Sequence, residues 1–423
     1  MTHRFETRQV HAGAQPDPVT GARATPVYAT TSYAFRDAEH ALAAFALQDL
    51  ETHAYSRLSN PTSAVVEARL ADLEGGTAAV AVASGQSATA LAVLNLAKAG
   101  QHVVAASALY GGTHTLFAHT LADLGVEVDF VDDQDDPAAW LALVRPTTRA
   151  FYAEAIGNPR GNVLDIAAVA AAAHSAGVPL IVDNTVPTPY LCRPLEHGAD
   201  VVVHSTTKFL AGHGTAIGGA VVSGTFDFTA DAERWPQFTR PDPTYHGLAF
   251  ADHGDLAYCL RLRTRLVRDL GPAVSPFNSF LLLHGVETLS LRLERHVANA
   301  TAVARWLDAR PEVSAVHYAG LPGNPWHAAA QRYLPLGVGG VLAFELPDLA
   351  AGRRLVDRLR LFSHLANIGD LRSLVIHPAS TTHAQLDEDQ QRAAGVSPGL
   401  VRLSVGLEGV DDIIADLDQA LSG

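Results

Sequence analysis

The chain has 423 residues and a formal net charge of −14. That length allows about two to three domains of ~150 residues each, and the acidic balance, with no sustained basic block, argues against a nucleic-acid partner. No apolar run reaches the ~18 residues of a membrane span, and Cys192 and Cys259 stand in no CxxC or Cys/His spacing, against a disulfide framework or a structural zinc site. The opening MTHRFETRQVHAG is polar and carries an acid, unlike a signal peptide. The expectation is a soluble cytoplasmic protein with no membrane partner and no bound metal.

Residues 1 to about 60 hold few periodic segments, with one short helix expected over Asp37–Gln48. Such an opening reads as an arm lying on something else, such as another subunit. From Pro61 the pattern becomes βα. Helices are expected at Ser63–Leu73, Ser87–Lys98, Thr113–Leu124, Asp136–Val144 and Asp165–Ala176. Strands are expected at Ala78–Ala83, His102–Ala106, Val126–Val131, Arg149–Glu154, Val178–Val182, Asp200–His204 and Ala216–Ser223. This alternation predicts an α/β fold with a mainly parallel sheet, whose carboxyl edge is where ligands bind. A loop region follows over 227–247. Helices at Leu256–Arg268, Phe277–Gly285, Leu289–Arg310, Leu349–Leu359 and Val410–Leu421, with strands at Glu312–Tyr318, Gly340–Leu346 and Leu400–Val405, predict a smaller C-terminal α/β domain. The expected division is an arm at 1–60, a large domain at 61–265 and a smaller one at 266–423.

Three features fall at expected strand ends on that edge. Ser84-Gly85-Gln86 is a turn between a strand and a helix; free N–H groups there, beside a hydroxyl and a glycine, would cradle a phosphate. The plain alternative is a βα turn with Ser84 as helix cap. Asp183 follows VPLIV and either starts a turn or serves as a buried acid. Lysine is scarce in this chain, yet Lys208 follows the apolar run ADVVV among Ser205, Thr206 and Thr207. A desolvated lysine loses its proton more readily and can form a Schiff base with a carbonyl; the alternative is a lysine that snorkels to water. Pyridoxal phosphate needs a phosphate site, an acid for its ring nitrogen and a lysine for its aldehyde, and the three occur together here. Tyr110 could stack on a flat cofactor or be an ordinary loop tyrosine. Arg402, in the strand VRLSV, requires an anion, either a substrate carboxylate or a structural acid.

The motifs YSRLSNPT (Tyr55–Thr62), SGQ, LYGGTH, GNP (Gly157–Pro159), VDNT, HSTTKF, HPASTTH (His377–His383) and VRLSVGLE resemble the Cys/Met-metabolism group of pyridoxal-phosphate enzymes over essentially the whole length. That resemblance implies the aspartate-aminotransferase-like fold (fold type I). It implies Lys208 as the Schiff-base lysine and Asp183 as the ring-nitrogen partner. Ser84, Gly85, Gln86, Ser205 and Thr207 become phosphate ligands and Tyr110 the stacking residue, with a part in proton transfer. Asn158 would lie near the cofactor's phenolic oxygen and beside the substrate, and Arg402 and Asn367 would bind substrate. Tyr55 and Arg57 would reach the cofactor of a neighbouring subunit, in a tetramer of catalytic dimers.

Within the group, VHAGAQPDPVTGARATPVYATTSY and ANIGDLRSLVIHPASTTHAQL look like the O-acetylhomoserine sulfhydrylase branch. EAIGNP replaces the ESPxNP of cystathionine γ-synthases and γ-lyases, and Asn367 stands where those tend to have serine. The departures from the branch include Val186-Pro187 in place of the commoner Phe-Ala. The branch implies replacement of acetate on O-acetylhomoserine by sulfide or a thiol, giving homocysteine or a thioether. The rival readings are a cystathionine γ-synthase, a γ-lyase or a methionine γ-lyase, and, from another class, a non-catalytic binding protein.

Overall fold

A computed structural model of the chain describes residues 3–157, 159–382, 384 and 395–422. The large sheet holds seven strands: β1 (Ala78–Val82), β2 (His102–Ala106), β3 (Glu127–Val131), β4 (Thr148–Glu154), β5 (Leu180–Asp183), β6 (Val201–His204) and β7 (Gly219–Ser223). Their order is β1-β7-β6-β5-β4-β2-β3. Only β7 runs against the rest, pairing antiparallel with both β1 and β6. Strands β1, β2, β6 and β7 are buried over almost their full length, which is why they read as continuous Ala/Val runs rather than alternating ones.

The helices between the strands start where the sequence caps them. Asn60 accepts the Thr62 N–H at the head of Pro61–Glu74, Ser84 caps Gly85–Leu96, Asp136 caps Pro137–Ala142 and Asp165 caps Ile166–Ser175. Gly75, at φ 75°, stops the first of these in the left-handed conformation. Two helical runs contain a π turn, at Leu116–Thr120 and at Leu262–Val267. The second sits inside the continuous run Ala257–Leu270, close to the helix expected over Leu256–Arg268.

A second sheet of five strands has the order β10-β11-β12-β9-β8, with β8 at Ala315–His317, β9 at Val341–Glu345, β10 at Ser363–His364, β11 at Leu374–Ile376 and β12 at Leu400–Ser404. The patterning predicts β8, β9 and β12. It misses β10 and β11, of two and three residues, because a period cannot show in so few positions. The unanticipated helix Phe5–His11 packs on its own chain: Gln9 Nε2 donates to Ser290 Oγ at 2.9 Å, and the Phe5 ring lies 5.0 Å from that of Tyr190.

Candidate active site

The carboxyl ends of β4, β5 and β6 open into a cavity of about 230 Å³, closed on its far side by residues 366–368 and Arg402 of the smaller α/β layer. Among the residues singled out from the sequence, Ser84, Gly85, Gln86, Tyr110, Asp183, Ser205, Thr207, Lys208, Asn367 and Arg402 all line it. Tyr55 and Arg57 do not. They lie at the surface, where Arg57 donates to the Arg268 carbonyl at 2.7 Å and stands 5.4 Å from the Tyr55 ring. Asn158 and His383 lie outside the described residues.

One end of the cavity is built for an anion. Ser84 Oγ caps its helix by accepting the Ser87 N–H at 3.1 Å, so the plain reading of Ser84 also holds. The first-turn N–H groups of Gly85 and Gln86 have no acceptor within the helix and remain for a ligand. The turn is pressed against its neighbours: a Cβ on Gly85 would stand 2.5 Å from Ser205 Cβ, and one on Gly219 2.1 Å from the Ser84 carbonyl oxygen. Gln86 Nε2 donates to the Gly112 carbonyl at 3.0 Å, and Thr207 Oγ1 accepts the Gly218 N–H at 3.1 Å. Hydroxyls and helix-end amides thus converge from β1, β6 and the loop before β7.

Asp183 ends β5 and is half-buried, its exposed surface facing the cavity. Thr185 donates its N–H to Oδ1 at 2.9 Å, while the Thr185 hydroxyl accepts the Ser205 N–H at 2.8 Å. Burial pushes the Asp183 carboxyl up, and its hydrogen bonds to Thr185, the charge of His204 and the Tyr152 hydroxyl pull the other way. A buried carboxyl in that balance favours a cationic partner in the cavity.

Lys208 sits four residues past the end of β6. Its Nζ donates to Asn367 Oδ1 at 2.5 Å. Burial, reinforced by the Arg402 charge, lowers its pKa to about 8. The 366–370 segment reaches Lys208 because Gly369, at φ 76°, passes so close that a Cβ would meet Phe209 N at 2.6 Å. Arg402 Nη2 donates to the Asn367 carbonyl at 3.3 Å, so Asn367 contacts the lysine and the arginine together. Burial lowers the Arg402 pKa to about 10.

The neighbouring histidines are structural. His204 Nε2 donates to Glu74 Oε1 at 2.6 Å with both side chains fully buried, and His213 Nδ1 lies 2.7 Å from the Ala211 carbonyl. Among the described residues, no group of three His, Cys, Asp or Glu side chains is placed to hold a metal ion.

Several cavity residues were missed by sequence reasoning. Glu154 ends β4 and accepts the Tyr110 N–H at 2.5 Å; the carboxyl-edge rule that selected Asp183 applies to it equally. Thr89 and Ile217 also line the cavity, and nothing in their local sequence marks them, whereas Ile156 lies in the EAIGNP segment. Of the Val186-Pro187 departure, Val186 lines the cavity and Pro187 does not; Pro187 precedes Thr188, which is buried at φ 60°.

A parallel-rich sheet carrying an amine nucleophile, a buried acid and an anion cradle on one edge defines an enzyme that acts through an anionic carbonyl cofactor. The chain belongs to the Cys/Met metabolism PLP-dependent enzyme family, whose model matches residues 6–422. It is 51% identical to the O-acetyl-L-homoserine sulfhydrylase of Leptospira meyeri, covering 98% of this chain and 96% of that one. It is 50% identical to the homocysteine synthase of Schizosaccharomyces pombe, covering 99% and 98%. Among solved structures, it superposes with a TM-score of 0.96 on the putative O-acetylhomoserine (thiol)-lyase of Campylobacter jejuni, at 40% identity over 100% of both chains. That protein carries an N'-pyridoxyl-lysine-5'-monophosphate residue. No described helix is long and apolar enough to cross a membrane.

Proposed function

We propose that this enzyme converts O-acetyl-L-homoserine and sulfide, or a thiol, into L-homocysteine, or the corresponding thioether, and acetate. The observation that carries the reading is Lys208, buried at a cavity that also holds Asp183 and the helix-end N–H groups of Gly85 and Gln86. The cavity fits pyridoxal phosphate on its own chemistry: free N–H donors face an anion, a buried carboxyl calls for a cation, and an amine titrating near 8 suits an aldehyde.

Ser84, Gly85, Gln86, Ser205 and Thr207 would hold the phosphate, Asp183 the ring nitrogen, Tyr110 the ring face and Asn158 the phenolic oxygen. Bound there, the cofactor supplies an aldehyde for Lys208 and a sink for the electrons left when a proton departs next to the amino group. The chain's own residues do the rest. Arg402 and Asn367 bind the substrate carboxylate, with Asn158 beside them. Lys208 Nζ, largely neutral above pH 8, removes the α-proton and can return it. Asn367 orients that amine through its side-chain oxygen. Tyr110, half exposed at the cavity mouth, assists departure of acetate from the γ-carbon. Tyr55 and Arg57, remote from their own cavity, serve the cofactor of a partner copy, in a tetramer built from catalytic dimers. Two free, buried cysteines suit a cytoplasmic setting.

Lys98 and Lys208 are the only lysines in the chain, which makes the first test clean. Protein loaded with pyridoxal phosphate should be yellow, and borohydride should bleach it and leave the label on Lys208. A colourless protein, or label on Lys98 alone, ends the reading. Steady-state rates with O-acetyl- and O-succinyl-homoserine, each with sulfide and with methanethiol, identify donor and nucleophile; O-acetylhomoserine is the expected donor. Faster turnover of cystathionine or methionine would replace this reaction with γ-elimination.

A further inference from the structure

The acid at the tip of β5 is held by more than its own loop. Asp183 Oδ1 takes the Thr185 N–H at 2.9 Å, and Oδ2 faces the Tyr152 hydroxyl at 3.5 Å. Tyr152 stands on the adjacent strand β4, wholly buried, its ring edge-on to Phe117 with centroids 4.9 Å apart. The other neighbour of its hydroxyl is Thr89 Oγ1, at 3.3 Å. A phenolic O–H in a dry core costs free energy unless it is paired. A carboxylate only accepts, so the phenol proton belongs to Asp183 and the Thr89 hydroxyl is left to donate to the phenol oxygen. Burial and the Asp183 charge raise the phenol's pKa well above its usual value, so this donor keeps its proton across the working pH range.

We propose that Tyr152 is a positioning residue for Asp183. The relay from Thr89 through Tyr152 favours the ionised carboxylate, and so keeps the shared proton on the ring nitrogen of pyridoxal phosphate rather than on Asp183. The inference rests on the reading that Asp183 faces that nitrogen. Of the titratable groups around Asp183, Tyr152 touches it; His204 acts from β6 at longer range, and Glu154 lies two residues further along β4. At 3.5 Å the contact is long, so its loss should cost a few-fold rather than orders of magnitude.

Tyr152→Phe keeps the ring and its packing on Phe117 and removes one proton donor. The test loads wild type and variant with pyridoxal phosphate labelled with nitrogen-15 in the ring. It reads the ring-nitrogen resonance, the cofactor dissociation constant and the melting temperature of the cofactor-free protein. The variant's resonance should move toward that of unprotonated pyridine, and affinity should fall about three- to ten-fold. The cofactor-free melting temperature should stay within about 2 °C of wild type. Thr89→Val should move the resonance in the same direction by less. An unmoved resonance in Tyr152→Phe overturns the proposal, whether or not the melting temperature falls, because a packing role alone leaves the ring nitrogen untouched. Asp183→Asn separates the two levels. If its ring resonance matches wild type, Asp183 does not face the nitrogen and both readings fall. If Asp183→Asn moves the resonance and Tyr152→Phe does not, only the role of Tyr152 falls.

Discussion

Lys208 loses its proton near pH 8 because burial and the Arg402 charge disfavour the ammonium form. In the unfolded chain the same lysine holds its proton to about 10.4. Between those values the unfolded chain binds more protons, so stability rises with pH. The cost of burying the ammonium is therefore full below about pH 8 and is relieved as pH climbs toward 10.5. Lys208→Met should stabilise the cofactor-free protein at pH 7 by about 1–3 kcal/mol. That advantage should shrink by pH 10, which urea melts at the two pH values will show. The same substitution should lower turnover on the order of 10³-fold or more, since the base is gone. Asn367→Ala should leave the fold intact and lower kcat/KM by about ten-fold, because the amine loses the side-chain acceptor that Asn367 supplies.

At the scale of elements, the site depends on how closely its turns approach one another. Gly85 begins the helix Gly85–Leu96 directly against Ser205, and a methyl group there has no room. Gly85→Ala should push the turn off the loop after β6 and weaken pyridoxal phosphate binding on the order of 10²-fold, read by fluorescence titration. Behind the same edge, Glu74 at the end of the helix Pro61–Glu74 accepts from His204 at 2.6 Å and from Asn184 at 2.9 Å. Those two residues immediately precede Ser205 and Thr185, so one buried carboxylate ties together the ends of β5 and β6. Glu74→Ala leaves both donors without that acceptor in the core and should cost about 3–5 kcal/mol of unfolding free energy.

At the scale of the whole molecule, the cavity forms where the large sheet's carboxyl edge meets the segment 366–368 and β12 of the smaller sheet. Tyr55 and Arg57 lie away from it, and the proposal that they act in a partner copy's site can be tested. Mixing equal amounts of unfolded Arg57→Ala and Lys208→Ala chains and refolding them makes that test. A hybrid dimer has one site with Lys208 from one copy and Arg57 from the other. Random pairing makes half the dimers hybrids, so activity should return to about a quarter of wild type. Mixtures that stay as inactive as the parents would place Arg57 in its own subunit's chemistry.

The large sheet was readable from sequence because a parallel core is continuous in apolar residues and its turns carry caps and glycines. That local chemistry located all seven of its strands to within a few residues and brought Ser84, Asp183 and Lys208 to one edge. Physical reading of those residues suggested a cofactor with a phosphate and a carbonyl; the reaction came only from motifs matched to a family. What the linear pattern could not contain is the company each residue keeps across the chain. Asn367 on Lys208, Tyr152 beneath Asp183, Glu74 joining His204 to Asn184 and Glu154 under Tyr110 each join positions 31 to 159 residues apart. Hydrogen bonds of that kind leave no period in a sequence, since they depend on where the strands are ordered in the sheet and on how the second layer lies against the first. The residue types able to do this chemistry are a property of the chain, whereas the proton affinities that let them do it are set by burial and neighbours, which exist only once it has folded.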